Sequence, residues 1–292
     1  MSESVIADFV ATFDSNVLRT TDPVKGRVLL SEKRLVLAVG DNDKLPVPLT
    51  SIFDVAVGQV PDELDGFFDA TVTVAFRKND KRFVAAIEAP DDKIEKFSNV
   101  LFKALLNGTD MTVKHPARVG GRVTDAEFSA AKLFLKPKQV EFRNDEETVA
   151  IRLAAVTEFD QTKRRIAGTK RPVLDVKHMP RGDAMLTQVT TDSPRKMSLL
   201  GRYLRLEYSD LMAELKDLTL TEDEKELLVA VYSGAGNKGM SLPQIIGKDP
   251  TEVTMLLNDL EDEELVVDAS DGTKLTPKGQ VLVNRHLEDI NA

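Results

Sequence analysis

The chain has 292 residues, 42% hydrophobic and 30% charged, with a net charge of −9, the balance of a soluble globular protein long enough for two or three domains with cores of their own. It has no cysteine, which excludes disulfides, thiolate metal sites and a cysteine nucleophile and fits a reducing compartment. Its acidity disfavours nonspecific binding to nucleic acid or anionic membranes. The opening MSESVIADFVATFD lacks a basic n-region, and no apolar run approaches the roughly 18 residues of a membrane span, so a cytoplasmic protein without membrane insertion is expected.

From Gly26, GRVLLSEKRLVLAVGDNDKLPVPLTSIFDV aligns with AKLFLKPKQVEFRNDEETVAIRLAAVTEF from Ala131. Both predict three strands joined by two tight turns, with Leu35 answering Val140, Leu49 answering Leu153 and Ile52 answering Val156. TVTVAFRKNDKRFVAAIEAPDDKIEKFSNVLFKALL then answers VLDVKHMPRGDAMLTQVTTDSPRKMSLLGRYLRLEYSDL, Val74 against Val176 and Ile87 against Val189, and each ends in an amphipathic helix. Hairpins of alternating apolar residues with a closing helix predict a small β-sandwich. The order resembles a pleckstrin-homology-like domain present twice, over residues 1–109 and 110–218. The stretch LNGTDMTVKHPARVGGRVTDAEF, with Gly108, Pro116, Gly120 and Gly121, is predicted as the linker.

Within the second unit the basic residues concentrate at TKRRIAGTKRP, where Lys163, Arg164, Arg165, Lys170 and Arg171 surround Gly168. It reads as a loop between two strands, either a solvated hairpin or a patch that seeks an anionic partner, an acidic protein most easily. In the closing helix, from about Pro194 to Leu218, Met197, Leu200, Leu204, Tyr208, Leu211 and Leu215 form one apolar stripe. Leu199, Tyr203 and Leu206 widen it beyond what one sandwich covers. Two readings stay open: this face packs on the tail, or it forms a homodimer interface with a second copy.

The tail, residues 219–292, begins with Thr221 as N-cap and Glu224 three residues on, a capping box. SGAGNKG makes a turn, MSLPQIIG a short helix, and Asp249-Pro250 opens a third, PTEVTMLLNDLEDEE. LVVDASDGTKLT gives two strands around Asp271-Gly272, and PKGQVLVNRHLEDI a final helix. This is the order of a winged helix-turn-helix-like domain, so the whole chain is predicted as an α+β fold of two tandem pleckstrin-homology-like β-sandwiches, each closed by a helix, followed by a winged-helix tail.

Charge opposes the use that such a tail usually has. Asp249, Glu252, Asp259, Glu261, Asp262, Glu263 and Glu264 lie on the third helix with no Lys or Arg among them, whereas DNA binding needs cations to displace phosphate counterions. The tail holds 6 of the 39 basic and 15 of the 48 acidic residues, so all of the net charge is its own. Helical periodicity turns Val253, Leu256, Leu257 and Leu260 inward and Glu252, Met255, Asp259 and Asp262 outward. A methionine ringed by carboxylates is a candidate docking face; the bland alternative is a solvated one. A winged-helix transcription regulator with duplicated sensing domains remains the alternative function.

Catalytic chemistry finds little support. Gly234, Gly236 and Gly239 match G-x-G-x-x-G, but a helix precedes them where a strand is needed. His115, His178 and His286 lie in three segments, each without a second His or carboxylate at metal-ligand spacing, and read as packing or surface residues. There is no G-x-S-x-G elbow, P-loop or H-E-x-x-H. No enzyme, cofactor or metal is expected.

VIADF, PVKGRVLLSEKRLVL, SIFDVAVG, VLFKALLNG, VKHPARVGGRVTDAEF, RKMSLLGRYLRLEYSDL and VTMLLNDL together resemble the archaeal taxis proteins CheF nearly end to end. The resemblance implies a non-enzymatic adaptor. Its implied partners are the phosphorylated response regulator CheY and the switch complex of archaellum accessory proteins C, D and E, at the cytoplasmic face of the motor. Glu252, Met255, Asp259 and Asp262 are then the candidate CheY contacts, and Lys163, Arg164, Arg165, Lys170 and Arg171 the candidate motor contacts.

Overall fold

The computed structural model describes residues 3–18, 22–40, 43–58, 68, 71–166, 168–180, 183–216, 218–235, 241–269 and 272–291. Strands β1 (Val5–Ser15), β2 (Val24–Ser31), β3 (Arg34–Ala38), β4 (Lys44–Pro48), β5 (Ile52–Val57), β6 (Thr71–Lys78) and β7 (Lys81–Glu88) precede helix α1 (Asp91–Leu106). They form one antiparallel sheet in the order β4-β3-β2-β1-β7-β6-β5. A second set follows: β8 (Thr109–Val119), β9 (Arg122–Val123), β10 (Ser129–Lys136), β11 (Gln139–Arg143), β12 (Thr148–Arg152), β13 (Val156–Ile166), β14 (Thr169–His178), β15 (Met185–Thr190) and helix α2 (Pro194–Lys216). Its order is β12-β11-β10-β8-β15-β14-β13, with β9 a side pairing on β8.

The two paths are the same once β9 is set aside, so the duplication visible in the sequence is a duplication of topology. It extends to small features. A single 3-10 turn, Leu49–Ser51 or Leu153–Ala155, joins the fourth strand to the fifth in each. The fifth strand bulges in the same place, at Ile52/Asp54 and at Val156/Glu158, where the extra residue bends it over the core. The fourth strands alternate alike, exposed and buried by turns, as period-2 side chains over a single core require.

Half of the stretch predicted as a linker is instead β8, which pairs with β10 and β15 in the middle of the second sheet. Pro116 and the glycines suggested a break, but Met111, Val113 and Ala117 are buried, and that burial overrides the local signal.

α2 explains its own breadth. Leu199 is fully buried and Tyr203 is 2% exposed, with the Tyr203 ring 5.5 Å from Phe102 of α1; Leu206 is partly buried against the same cluster. These three, expected at a homodimer interface, are covered within the chain. The reason is that α2 lies against both units. Arg195 donates to the carbonyls of Leu49 and Ile52 at 3.2 and 2.6 Å, and Arg202 forks onto the Asp54 carboxylate at 3.0 and 3.1 Å. On its other side Tyr208 donates to the Thr157 carbonyl at 3.1 Å. One apolar cluster therefore runs through both sheets.

The tail has a separate core, built by α3 (Glu222–Ala230), α4 (Leu242–Ile246), α5 (Pro250–Asp262), the hairpin β16 (Val266–Ala269) and β17 (Gly272–Leu275), and α6 (Pro277–Asn291). The expected capping box is present: Thr221 Oγ1 accepts from the Glu224 N–H at 3.3 Å while the Glu224 carboxylate accepts from the Thr221 N–H at 2.6 Å. α6 enters against the carbonyl of Leu265, which would stand 2.1 Å from a Cβ at position 279, so only glycine fits. α6 also packs back on β13. Gly236, Gly239 and Asp271 lie outside the described residues.

Candidate functional site

The third tail helix is positioned by its ends. Asp249 caps it, its carboxylate accepting from the Thr251 N–H at 2.8 Å, and Pro250 supplies a first helical residue that has no N–H to satisfy. Val253 and Leu260 are buried, and Leu256 and Leu257 pack against the tail core. That seating turns the other face out: Met255 is 63% exposed, and Glu252, Asp259 and Asp262 are exposed around it. Lys248, just before the helix, bonds both Asp223 at 2.7 Å and Glu252 at 2.8 Å, so among the described residues Glu252 is the member of this face with a resident cation. Those two carboxylates raise the Lys248 pKa, and it stays charged.

Among the described residues the acids at the far end of α5 have no such partner, and they stand in an unfavourable place. Asp259, Glu261 and Asp262 occupy the last turn, which has no basic residue, where the helix dipole is negative. Local stability would select the opposite sign.

The basic loop is the β13–β14 hairpin. Its register sets Arg164 opposite Arg171 and Arg165 opposite Lys170, like charges that repel across a ladder. Among the described residues two of the five find anions inside the unit: Arg164 pairs with Asp175 and Arg171 with Asp192, each at 2.5 Å. Lys163, Arg165 and Lys170 are exposed and, by strand alternation, share one face. A second basic hairpin, RKNDKR, lies between β6 and β7; its segment is shorter and holds an aspartate, so it gives a weaker signal in the sequence. There Arg77 faces Arg82 and Lys78 faces Lys81, and both arginines lie over the Phe53 ring, 5.7 and 5.6 Å from its centroid.

His115 and His178, far apart in sequence, come together. Both ring systems reach the Thr187 hydroxyl, His115 Nδ1 at 2.7 Å and His178 Nε2 at 2.9 Å. Burial, with the neighbouring His115 second, lowers the His178 pKa to about 4, and burial lowers that of His115. The pair forms a neutral polar knot under β8, β14 and β15. Among the described residues no cluster of three or more His, Asp or Glu could hold a metal ion, and no helix is long and apolar enough to cross a membrane.

Residues 5–210 match the family described as Archaeal Chemotaxis signal transduction system protein F. The taxis protein CheF2 of Halobacterium salinarum is 44% identical over 291 residues, 100% of either chain. CheF1 of the same organism is 28% identical over 288 residues, 95% of this chain and 94% of its own. Both alignments extend into the tail, beyond the family match. Among solved structures a Spt16D–Pob3N heterodimer aligns with 66% of this chain and 98% of its own at 14% identity, with a TM-score of 0.26, a likeness too low to carry an argument.

Proposed function

Because the chain belongs to the archaeal chemotaxis signal transduction protein F family, we propose that it is a non-enzymatic adaptor that binds phosphorylated CheY on its tail and relays the signal to the archaellum switch complex. In this reading the repeated seven-strand units are pleckstrin-homology-like scaffolds, and the order α3, α4, α5, β16, β17, α6 is a winged helix turned from DNA to protein. The observation that carries it is the exposed face of α5. A methionine 63% exposed fills an apolar dimple readily because its thioether is flexible, and the surrounding acids select basic neighbours. Acids retained at the negative end of the helix dipole serve recognition better than they serve the helix.

The basic hairpins supply the second surface. Lys163, Arg165 and Lys170 would meet an acidic face of accessory proteins C, D and E, and would speed encounter more than they fix affinity. Signalling needs no chemistry in the adaptor: phosphorylation shifts CheY toward a conformation with higher affinity for α5, and that differential affinity biases the motor. Calorimetry of the full chain with phosphorylated and unphosphorylated CheY tests the reading. Equal affinities for the two forms would refute it.

A further inference from the structure

The tail carries 15 acids against 6 bases, yet one cleft beside it reverses that balance. The cleft lies where the end of α2 and the connector after it meet α3 and α6, and it measures about 240 Å³. Its floor is apolar, made by Leu215 of α2, Leu220 of the connector, Leu228 of α3 and Leu282 of α6. Around the floor stand Lys225, Arg285 and His286. These are two of the tail's six bases and its one histidine, and no Asp or Glu is among the described residues that line the cleft.

Helical spacing puts them there. Lys225 and Leu228 are i and i+3 on α3, and Leu282, Arg285 and His286 are i, i+3 and i+4 on α6, so each helix presents a leucine and a basic side chain to one groove. Leu215 and Leu228 are each 2% exposed, whereas Leu220 and Leu282 are only half-buried and keep apolar area open. Lys225 bonds Glu222 at 2.7 Å, but that carboxylate is 84% exposed, a pair that water weakens and an incoming anion can share. Arg285 is half-buried and has no acidic partner among the described residues. Its planar, weakly hydrated guanidinium suits a carboxylate or a phosphate at the edge of an apolar surface.

We propose that this cleft binds a free anionic amphiphile, its chain on the leucine floor and its carboxylate or phosphate head among Arg285, Lys225 and His286. Volume sets the chain: at about 30 Å³ for each water-sized group, the cleft takes about eight carbons. Charge sets the head. A neutral chain would leave the basic groups without an anion, and a small anion without a chain would leave the leucines facing water. A ligand seated there touches α2, α3 and α6 together, so it holds the tail against the end of α2.

Calorimetry and thermal unfolding of the full chain with octanoate and with octyl phosphate test this. At least one should bind saturably, one molecule per chain, with a dissociation constant below about 1 mM, and should raise the unfolding midpoint as a ligand of the folded state does. Acetate, the charge without the chain, should not bind, and octanol, the chain without the charge, should bind at least about tenfold more weakly. Arg285→Ala should weaken the anionic amphiphile about tenfold and leave octanol unchanged, while Arg285→Lys should lose less. Lys225→Ala, on the facing helix, reads the same contact if Arg285→Ala does not fold. Failure of both amphiphiles to bind would overturn the proposal, as would octanol binding as tightly as they do, or amphiphile binding that survives both alanine variants intact. Binding of an acidic amphipathic peptide in place of the amphiphiles would assign the cleft to a protein partner and equally overturn it.

Discussion

His115 and His178 stack with ring centroids 5.8 Å apart and share the hydroxyl of Thr187. The folded state holds His178 neutral down to a pKa of about 4, chiefly by burial, whereas an unfolded chain protonates its histidines near pH 6.5. Between those values the unfolded state binds more protons, so stability is full above about pH 6.5 and is lost as the pH falls toward 4. The loss expected from this group is about 2–3 kcal/mol. Urea unfolding of the wild type and of His178→Phe at pH 7 and pH 5 checks it, since the variant should lose less stability on acidification than the wild type does.

Two glycines should respond in opposite directions to the same change. A Cβ at Gly279 would meet the Leu265 carbonyl at 2.1 Å, while one at Gly201, within α2, meets nothing within 4 Å. Gly279→Ala should destabilise the tail by about 1–3 kcal/mol, and Gly201→Ala should stabilise α2 by about 0.5–1 kcal/mol. Thermal unfolding of both variants reads this as a fall and a rise in midpoint.

The charge of α5 predicts failure on DNA. A binding isotherm against duplex DNA should show no affinity that steepens as salt is lowered, because phosphate neutralisation has no cations to work with on that helix. A steep salt slope with measurable affinity would return the tail to a transcriptional role.

Reversing Lys163, Arg165 and Lys170 to glutamate should weaken association with the switch complex, by a factor that shrinks as salt is added, and leave CheY binding intact. Reversing Arg164 or Arg171 tests something else, because each already neutralises an aspartate of its own unit, and those variants should lose stability as well.

What could be read in the sequence was local and periodic. The capping box at Thr221, the outward face of α5 and the paired hairpins all follow from spacing along one element. What could not be read depends on partners remote in sequence. β8 resembles a linker because Pro116 and Gly120 are turn formers, yet β10 and β15 claim it. Tyr203 looked free because the helix that covers it, α1, belongs to the other unit. The histidines meet only after the strands that carry them are laid beside β15.

The most direct test of the adaptor reading is calorimetry of phosphorylated CheY against the full chain and its Met255→Asp variant, with unfolding midpoints matched. The account predicts a loss of about 1–2 kcal/mol in binding, the size of an ordinary contact residue at an interface, with no change in stability because Met255 touches solvent. Unchanged affinity in that variant would show that the α5 face does not receive the signal.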